Sequence, residues 1–294
     1  MLLEVLMANT ITLKRRIGSV KNTRQITKAM ELVAASKMRR AQESALRTRD
    51  YYDLASQILT RLRQLTDVNK HPLYARRTVK TRLIVFITSD RGLAGAYNSN
   101  LLRLLTVELT KDRDQGVQTQ VVAVGRQGSK FLARFKGVEV IAAYHNFPDH
   151  PTPNDMAPIL STVMAKFLAK EADAVDVIFT HYQSSLTQVA SMQRLLPAAF
   201  TEVELTQDLD QAVFEPSPEE VLNSVTKRLI EAQMNQAFLE SFASEHSMRM
   251  LAMKSATDNA TDLIDDLTLE FNTARQAAIT QELAEITGGA EAIK

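Results

Sequence analysis

The chain has 294 residues, of which 45% are hydrophobic, with a formal net charge of +1 and no cysteine. This length allows one large domain or two modest ones, and the apolar fraction is ordinary for a globular protein. The lack of cysteine excludes a disulfide framework, a thiolate metal site and a cysteine nucleophile. The net charge gives no global sign of a nucleic-acid or membrane-surface binder.

The first predicted element is a long helix, assigned to residues 9–66. Residues 11–65 contain one glycine, Gly18, and no proline. Small and apolar side chains recur there at spacings of three and four, as along the seam of a coiled coil. Residues 14–49 carry eleven basic residues against two acidic ones. The predicted seam positions are Met30, Ala34, Met38, Ala41, Ala45, Tyr52, Ala55, Leu59 and Leu62.

The middle of the chain, residues 78–212, has the pattern of an α/β domain. Apolar runs that predict buried strands alternate with stretches that predict helices, which is typical of βαβ units with a parallel sheet. Residues 186–196 are expected to add an antiparallel strand. The predicted strands cover residues 82–88, 120–124 and 176–180, and the predicted helices cover residues 97–109, 127–135 and 153–171.

A second long helix is predicted over residues 217–287. Its start is signalled by Ser217 as N-cap, Pro218 at the first helical position and Glu220 three residues after the cap. Residues 258–291 carry eight acidic residues and one base, Arg275. The seam runs through Met253, Ala256, Ala260, Ile264, Leu267, Phe271, Ala274 and Ala278, and a second apolar stripe follows at Ile279, Leu283 and Ile286.

The two long helices are predicted to pair with each other as an antiparallel coiled coil. They have opposite charge, each has an apolar stripe that needs covering, and both are joined to the same middle domain. Small residues in both seams permit close approach, but they bury little apolar area at about 25 cal/mol per Å².

Candidate catalytic and ligand sites in the middle domain are weak. Residues 90–95, which read DRGLAG, and residues 125–128 lack the third glycine of a dinucleotide fingerprint and the Gly-Lys-Ser/Thr of a P-loop. The spacing of His145 and His150 suits no known zinc arrangement. His181 is a lone histidine without an identifiable acid or nucleophile partner. No catalytic residue, cofactor or metal is therefore expected.

Two other classes of protein remain open at this point. One is an α/β nucleotide-binding enzyme with a coiled-coil arm, which would bind ATP or NAD. The other is a coiled-coil nucleic-acid or scaffold protein, since basic helices can lie in the major groove. The basic residues here are interleaved with the apolar seam rather than placed before it, which favours a solvated or partner-facing stripe.

Four segments resemble the gamma subunit of F-type ATP synthases: residues 17–37, 244–260, 272–286 and 89–98. The resemblance implies a Rossmann-like central domain between two helices paired in an antiparallel coiled coil. It also implies a non-catalytic rotary shaft that couples proton translocation through a membrane ring to ATP synthesis or hydrolysis in a catalytic head. The implied partners are three alpha and three beta subunits, an epsilon subunit and the ring of c subunits, with no nucleic acid.

The resemblance also implies residue roles. Lys28 and Met30 match the segment that faces an acidic beta-subunit loop, and Arg275 and Gln276 match a polar pair that contacts the beta subunit. Ile279, Leu283 and Ile286 would lie in the bearing at the tip of the shaft. Other interpretations stay open: Lys28 as a solvated charge, Met30 as a seam residue, and Arg275 as a neutraliser of Glu270 or Glu282.

No apolar run approaches the roughly 18 residues that cross a bilayer. The opening six residues are too short for a secretory signal, and either Met1 or Met7 could be the start. Without cysteine the regulatory dithiol of green-plant chloroplast relatives is excluded, and the sequence shows no Arg- and Ser-rich presequence of a mitochondrial form, unless one has been removed. The expected location is therefore the cytoplasmic face of a bacterial plasma membrane, as a peripheral subunit.

Overall fold

The computed structural model describes residues 2–135, 137–148, 152–199 and 212–291. Two long helices, α1 (Leu2–Leu65) and α5 (Pro218–Glu291), flank an α/β region. Two short 3-10 turns, Val68–Lys70 and Pro72–Tyr74, follow α1. The α/β region consists of β1 (Thr81–Ile87), α2 (Tyr97–Asp114), β2 (Gln118–Val124), α3 (Arg126–Leu132), β3 (Glu139–Tyr144), α4 (Pro153–Leu168), β4 (Ala174–Tyr182) and β5 (Gln188–Leu196).

Contacts divide the chain into two compact units. The first unit comprises the chain up to Val33 and from Met250 onward, and the second comprises Ala34–Arg249. Each of the two long helices contributes residues to both units.

The first unit is a pair of helices with a narrow buried seam. The hydroxyl of Thr257 on α5 donates a hydrogen bond to the hydroxyl of Thr27 on α1, at 2.8 Å. Four predicted seam positions on α5 are buried, whereas Ala256, Phe271, Ala274 and Ala278 are half-buried. The seam of α1 also includes Leu13, which was not among the predicted positions. The buried apolar side chains of this unit are Leu13, Met253, Ala260, Ile264 and Leu267.

In the second unit the end of α1 lies beside the start of α5. The Thr66 hydroxyl, one residue past α1, donates to a carboxylate oxygen of Glu219 at 3.5 Å. The N-terminus of α5 is capped as predicted, since the Ser217 hydroxyl accepts from the Glu220 amide at 3.3 Å. Residue numbers run in opposite directions along the contacts Thr27–Thr257 and Thr66–Glu219, which confirms the predicted antiparallel coiled coil.

The sheet has the strand order β3-β2-β1-β4-β5. The first four strands are parallel and β5 runs antiparallel to β4. The same order begins the doubly wound dinucleotide-binding fold, so the Rossmann-like prediction is confirmed, and so is the antiparallel strand near residues 186–196.

β1 lies at the centre of this sheet because both of its faces can be buried. Its apolar run is continuous, as is typical of a parallel strand covered on both sides. Leu83 and Val85 face a core shared with α1, α4 and the start of α5. Ile84 and Phe86 face a second core, built with α2 and α3.

β3 was not predicted from the sequence. It forms one edge of the sheet, and all of its residues remain half-buried or exposed. An edge strand of this kind lacks the apolar run that reveals central strands. The side chain of Tyr52, a predicted seam residue of α1, lies outside the described part of the chain.

Replacing Gly125 by Ala should destabilise the sheet strongly. Gly125 has a φ of +93°, and an added Cβ would lie 2.2 Å from the Thr88 carbonyl oxygen. We expect a loss in free energy of unfolding of about 3 kcal/mol or more, because positive φ and overpacking both act against the substitution. The measurement is urea unfolding of the full chain.

The matched control is Gly116→Ala. Gly116 also has a positive φ, +70°, but nothing lies within 4 Å of an added Cβ. The loss in free energy of unfolding should be limited to the cost of placing alanine at a positive φ, about 1–2 kcal/mol. Equal losses for the two variants would contradict the assignment of close approach at Gly125.

Candidate functional site

Lys28 and Met30 lie on α1 in the first unit. The Lys28 side chain is 55% exposed, and its ammonium lies 3.0 Å from a carboxylate oxygen of Glu31 on the next turn. Such an exposed pair contributes about 0–1 kcal/mol, so Lys28 can exchange Glu31 for another anion at little cost. Met30 is half-buried, so it combines the seam position considered above with a surface that a partner could reach.

Arg275 and Gln276 lie on α5 and are both exposed. Among the side chains that the structure describes, neither Glu270 nor Glu282 forms an ion pair with Arg275. The interpretation of Arg275 as a neutraliser within its own helix is therefore not supported.

The two pairs of residues lie at different levels of the coiled coil. Thr257 on α5 faces Thr27 on α1. Lys28 directly follows Thr27 in the chain, so Thr257 gives the level of Lys28 on the second helix. Arg275 lies 18 residues beyond Thr257 on the same helix, which is about 27 Å at a rise of 1.5 Å per residue. A partner that contacts both pairs must therefore cover a long stretch of the coil.

Ile279, Leu283 and Ile286 form an exposed apolar stripe near the end of α5. Their exposed fractions are 48%, 58% and 62%. Spacings of four and three place them on one side of the helix. This surface is suited to contact an apolar partner. It begins at Ile279, about one helical turn beyond the polar pair of Arg275 and Gln276.

Several of the described charged side chains of the first unit form no ion pair between the two helices. Lys14, Arg15 and Lys21 on α1 are exposed, and so are Asp258 and Asp262 on α5. Within the described side chains of the first unit, none of these five forms an ion pair across the coil. The basic and acidic bands are therefore surface features that a partner can contact.

In the second unit, the carboxyl ends of the strands are occupied by the protein itself. The Asp90 carboxylate accepts hydrogen bonds from the amides of Arg126, at 3.0 Å, and Asn146, at 2.8 Å. It thus places a negative charge at the start of α3. Thr88 fills the space beside Gly125 and Gly128, so the turn at residues 125–128 is a tightly packed link between strand and helix, whereas nothing lies within 4 Å of a Cβ added at Gly92.

The histidines do not form a metal site in the described residues, where no cluster of three or more suitable side chains is found. His181 does have an acid partner that sequence analysis missed, because its Nδ1 lies 2.5 Å from Glu240 Oε2 on α5. His145 is exposed, and His150 lies outside the described part of the chain.

A buried ionic cluster around Arg82 was also missed. The Arg82 guanidinium donates to Asp176 at 2.5 Å, to Asp112 at 2.8 Å and to Glu108 at 3.2 Å. Asp176 also accepts from Arg194 at 2.6 Å. The cluster joins β1, α2, β4 and β5, and a single basic residue in the apolar run of β1 was its only sequence signal.

The carboxyl group of Glu108 is held ionised by its neighbours. Burial acts to raise its pKa, but hydrogen bonds from Lys111 and Arg82 outweigh burial and leave the pKa below its ordinary value. The arrangement is a stabilising network, since every polar group of Arg82 is directed at a side chain of the same unit.

No helix in the described part of the chain combines the length and apolar character needed to span a bilayer.

Comparison with known proteins gives a consistent result over nearly the whole chain. A family model described as ATP synthase matches residues 9–293. An ATP synthase gamma chain from Moorella thermoacetica is 42% identical over 288 residues, which cover 98% of this chain and 100% of that protein. An ATP synthase gamma chain from Opitutus terrae is 41% identical and covers 95% of this chain and 97% of its own length.

Solved structures agree with this result. The central stalk and c-ring structure of the Tetrahymena thermophila mitochondrial ATP synthase contains a similar chain, with 29% identity and a TM-score of 0.60, covering 79% of this chain and 99% of that one. A chain of the Euglena gracilis mitochondrial ATP synthase has a TM-score of 0.65 and covers 97% of this chain and 95% of its own. At 18% identity, the second comparison shows the fold alone.

Replacing Arg82 by Met should lower the free energy of unfolding at about pH 7 by about 3–5 kcal/mol. Among the described residues, the buried Asp112 loses its only cation, while Asp176 keeps Arg194 and Glu108 keeps Lys111. The measurement is urea unfolding of the full chain. The control is Arg113→Met on α2, whose side chain is 78% exposed; it should stay within about 0.5 kcal/mol of the unmodified chain.

The deficit of Arg82→Met should shrink in acid. A carboxyl group with a lowered folded pKa stabilises the protein above its unfolded pKa, and this contribution is lost as pH falls through the folded pKa. Glu108 loses that contribution as the unmodified chain is acidified, whereas without Arg82 only Lys111 still lowers its pKa, so less stability is lost. The same urea series at about pH 4 measures the change, and a deficit independent of pH would contradict the electrostatic role.

Proposed function

The chain belongs to the family of ATP synthase gamma chains, and on that premise we propose that it is the central rotary shaft of an F-type ATP synthase. The shaft couples proton translocation through a membrane ring to ATP synthesis or hydrolysis in the catalytic head. Its partners are three alpha and three beta subunits, an epsilon subunit and the c-subunit ring. The observation that carries the proposal is the nearly full-length likeness to gamma chains, joined to a coiled coil with an exposed, asymmetric surface.

In this proposal the chain contributes no catalytic residue of its own. Asp90 supports this view, because its carboxylate lies at the start of α3, where a bound phosphate would meet a like charge. The tight packing at Gly125 also leaves no space for a phosphate loop.

The proposed mechanism depends on differential contacts. An asymmetric shaft inside a pseudo-threefold ring presents a different surface to each beta subunit at any instant. Each set of contacts favours one state of a catalytic site, and turning the shaft exchanges the sets. The Lys28 and Met30 level and the Arg275 and Gln276 level are the proposed beta-subunit contacts.

The free energies of the individual contacts indicate why the beta subunit must contact the coiled coil at two levels. Shifting a site from 1:99 to 99:1 between two states takes about 5.5 kcal/mol of differential binding. One exposed ion pair supplies about 0–1 kcal/mol, so Lys28 alone is insufficient. Several weak contacts spread along the coil can reach the required sum, and each can be released when the shaft turns.

The apolar stripe of Ile279, Leu283 and Ile286 is proposed to form the bearing at the tip of the shaft. Apolar contacts are non-directional, so they hold the tip in place without favouring one angle. These three apolar side chains are exposed in the chain alone, which supports the proposal that a partner covers them in the complex.

The domain division that we propose assigns residues 9–66 and 217–287 to the shaft and residues 78–212 to the α/β domain. The complex would lie at a bacterial plasma membrane, with this chain at the cytoplasmic face and attached through its partners. The bacterial origin of the most similar relatives described above supports this location.

The direct test of the proposal is single-molecule rotation. The chain is assembled with its alpha and beta subunits and a bead is attached to the α/β domain. Unidirectional turning that depends on ATP is expected. A well-folded chain that fails to join the ring would overturn the proposal, and micromolar binding of ATP or NAD by the full chain in calorimetry would then support the enzyme interpretation.

Replacing Met30 by Lys should impair coupling more than folding. The half-buried side chain would be replaced by a charge at the proposed beta-subunit contact, which alters how the shaft favours catalytic states. Proton pumping driven by ATP should fall by about tenfold, the equivalent of about 1.4 kcal/mol of lost coupling. Pumping is measured by dye quenching in membrane vesicles.

The matched control is Met30→Leu, which conserves volume and adds no charge. It should pump normally. The thermal unfolding midpoint of each purified variant separates coupling from folding. Normal pumping by Met30→Lys would count against the assignment of Met30 as a contact.

A further inference from the structure

Three serines of α5 are completely buried against the α/β region. Ser241, Ser244 and Ser247 each have 0% exposure. Their spacing of three places the hydroxyls along one side of the helix. All three belong to the second unit, so their contacts lie within one compact body.

Two of these hydroxyls hold the end of strand β4. The Ser241 hydroxyl accepts from the Thr180 amide at 3.1 Å and lies 2.7 Å from the Tyr97 hydroxyl. The Ser244 hydroxyl donates to the Thr180 carbonyl at 3.2 Å. Both backbone groups of one strand residue are therefore bound by α5.

The third hydroxyl holds the turn between β4 and β5. Ser247 donates to the Ser185 carbonyl at 2.8 Å and accepts from the Gln188 side-chain amide at 3.1 Å. The three serines thus make five hydrogen bonds to strand, turn and α2.

The position of Thr180 explains why the serines are needed. The pairing of β1 with β4 ends at Phe86 and Ile178. Thr180 is two residues further along β4, so its backbone groups point in the same direction as those of Ile178. Buried backbone groups need partners, and here the helix supplies the bonds that β1 no longer makes.

We propose that Ser241, Ser244 and Ser247 form a serine clamp that fixes the rotational angle of α5 on the sheet, so that torque passes between the α/β domain and the coiled coil. This role rests on the proposed rotary function. The three serines are positioning residues, since they would act through the helix and not on any substrate.

Packing contributes to this angle but is not its only determinant. Nearby buried positions of α5 carry the large residues Phe238 and Leu239, but also the small residues Ala237 and Ala243, which offer little side chain to resist rotation of the helix. Moving α5 by one residue step turns it by about 100°. Such a turn would break all five hydrogen bonds and leave buried polar groups without partners, which is strongly unfavourable.

The experiment compares a triple variant, Ser241→Ala with Ser244→Ala and Ser247→Ala, with two exposed serines of the same helix. Ser224→Ala and Ser255→Ala are the controls, because both side chains are exposed. Serine to alanine removes the hydroxyl with little change in volume. The single variant Ser241→Ala is included in case the triple variant folds poorly.

Amide hydrogen exchange in the full chain is the first measurement. The Thr180 amide should exchange about tenfold faster once Ser241 no longer accepts its hydrogen bond. The control variants should leave this rate unchanged. An unchanged rate in Ser241→Ala would overturn the clamp itself.

Angular fluctuation of the stalled rotor is the second measurement, and it is one that a merely structural role would not move. A bead on the α/β domain of the assembled complex, without ATP, reports how tightly that domain is fixed to the shaft. The triple variant should broaden the angular distribution while Ser224→Ala and Ser255→Ala leave it unchanged.

The outcomes separate the clamp from the rotary function. Faster Thr180 exchange with an unchanged angular distribution would overturn the torque role. Failure of the unmodified chain to rotate would overturn the proposed function, and the torque role with it, while the exchange measurement would still decide whether the serines hold the strand.

Discussion

The small residues along its helical seams are the constraint on which the rest of this structure depends. Ala41, Ala55 and Ala260 are buried beside larger side chains such as Leu59 and Ile264, but each alanine contributes little apolar area and therefore little free energy. At such points directional contacts add to the packing. Hydrogen bonds supply them, between Thr27 and Thr257 in the first unit and between Thr66 and Glu219 in the second. The small residues let the helices approach closely, and the shorter, partly buried contact between Thr27 and Thr257 supports one register in the first unit.

Directional contacts also hold α5 against the sheet. In doubly wound folds the carboxyl ends of the strands are the usual ligand-binding edge. Here α5 occupies that edge: it leaves one core at Phe238, reaches the other at Met248, and donates from Arg249 to the carbonyls of Arg91 and Gly92 at 3.2 and 3.3 Å. The helix thus takes the place that a ligand has in related folds. In this chain the Rossmann-like sheet positions the helix α5.

Sequence periodicity predicted the elements that are buried on a repeating pattern, such as β1, β4 and the seam at Leu59. It missed β3, because an edge strand shows no continuous apolar run. It could not find the partners of Arg82, which are 26, 30 and 94 residues away and are brought together only by the sheet. Opposite charge and apolar stripes correctly predicted that the helices pair, although Lys14, Arg15, Lys21, Asp258 and Asp262 are exposed. The roles of Lys28 and Arg275 came from family resemblance, and no periodic pattern distinguishes them from other surface residues.

The distribution of strong and weak contacts fits the proposed rotary role. Contacts that a shaft makes with its ring must be broken at each step, so each should be exposed and worth no more than about 1 kcal/mol. A buried ion pair at that surface, costly by about 3–5 kcal/mol to break, would hold the rotor in one orientation. Lys28 and Arg275 meet the first condition because both are exposed. Contacts that carry torque inside the chain must persist instead, and the buried hydroxyls of Ser241 and Ser244 meet that second condition because water cannot compete for their hydrogen bonds.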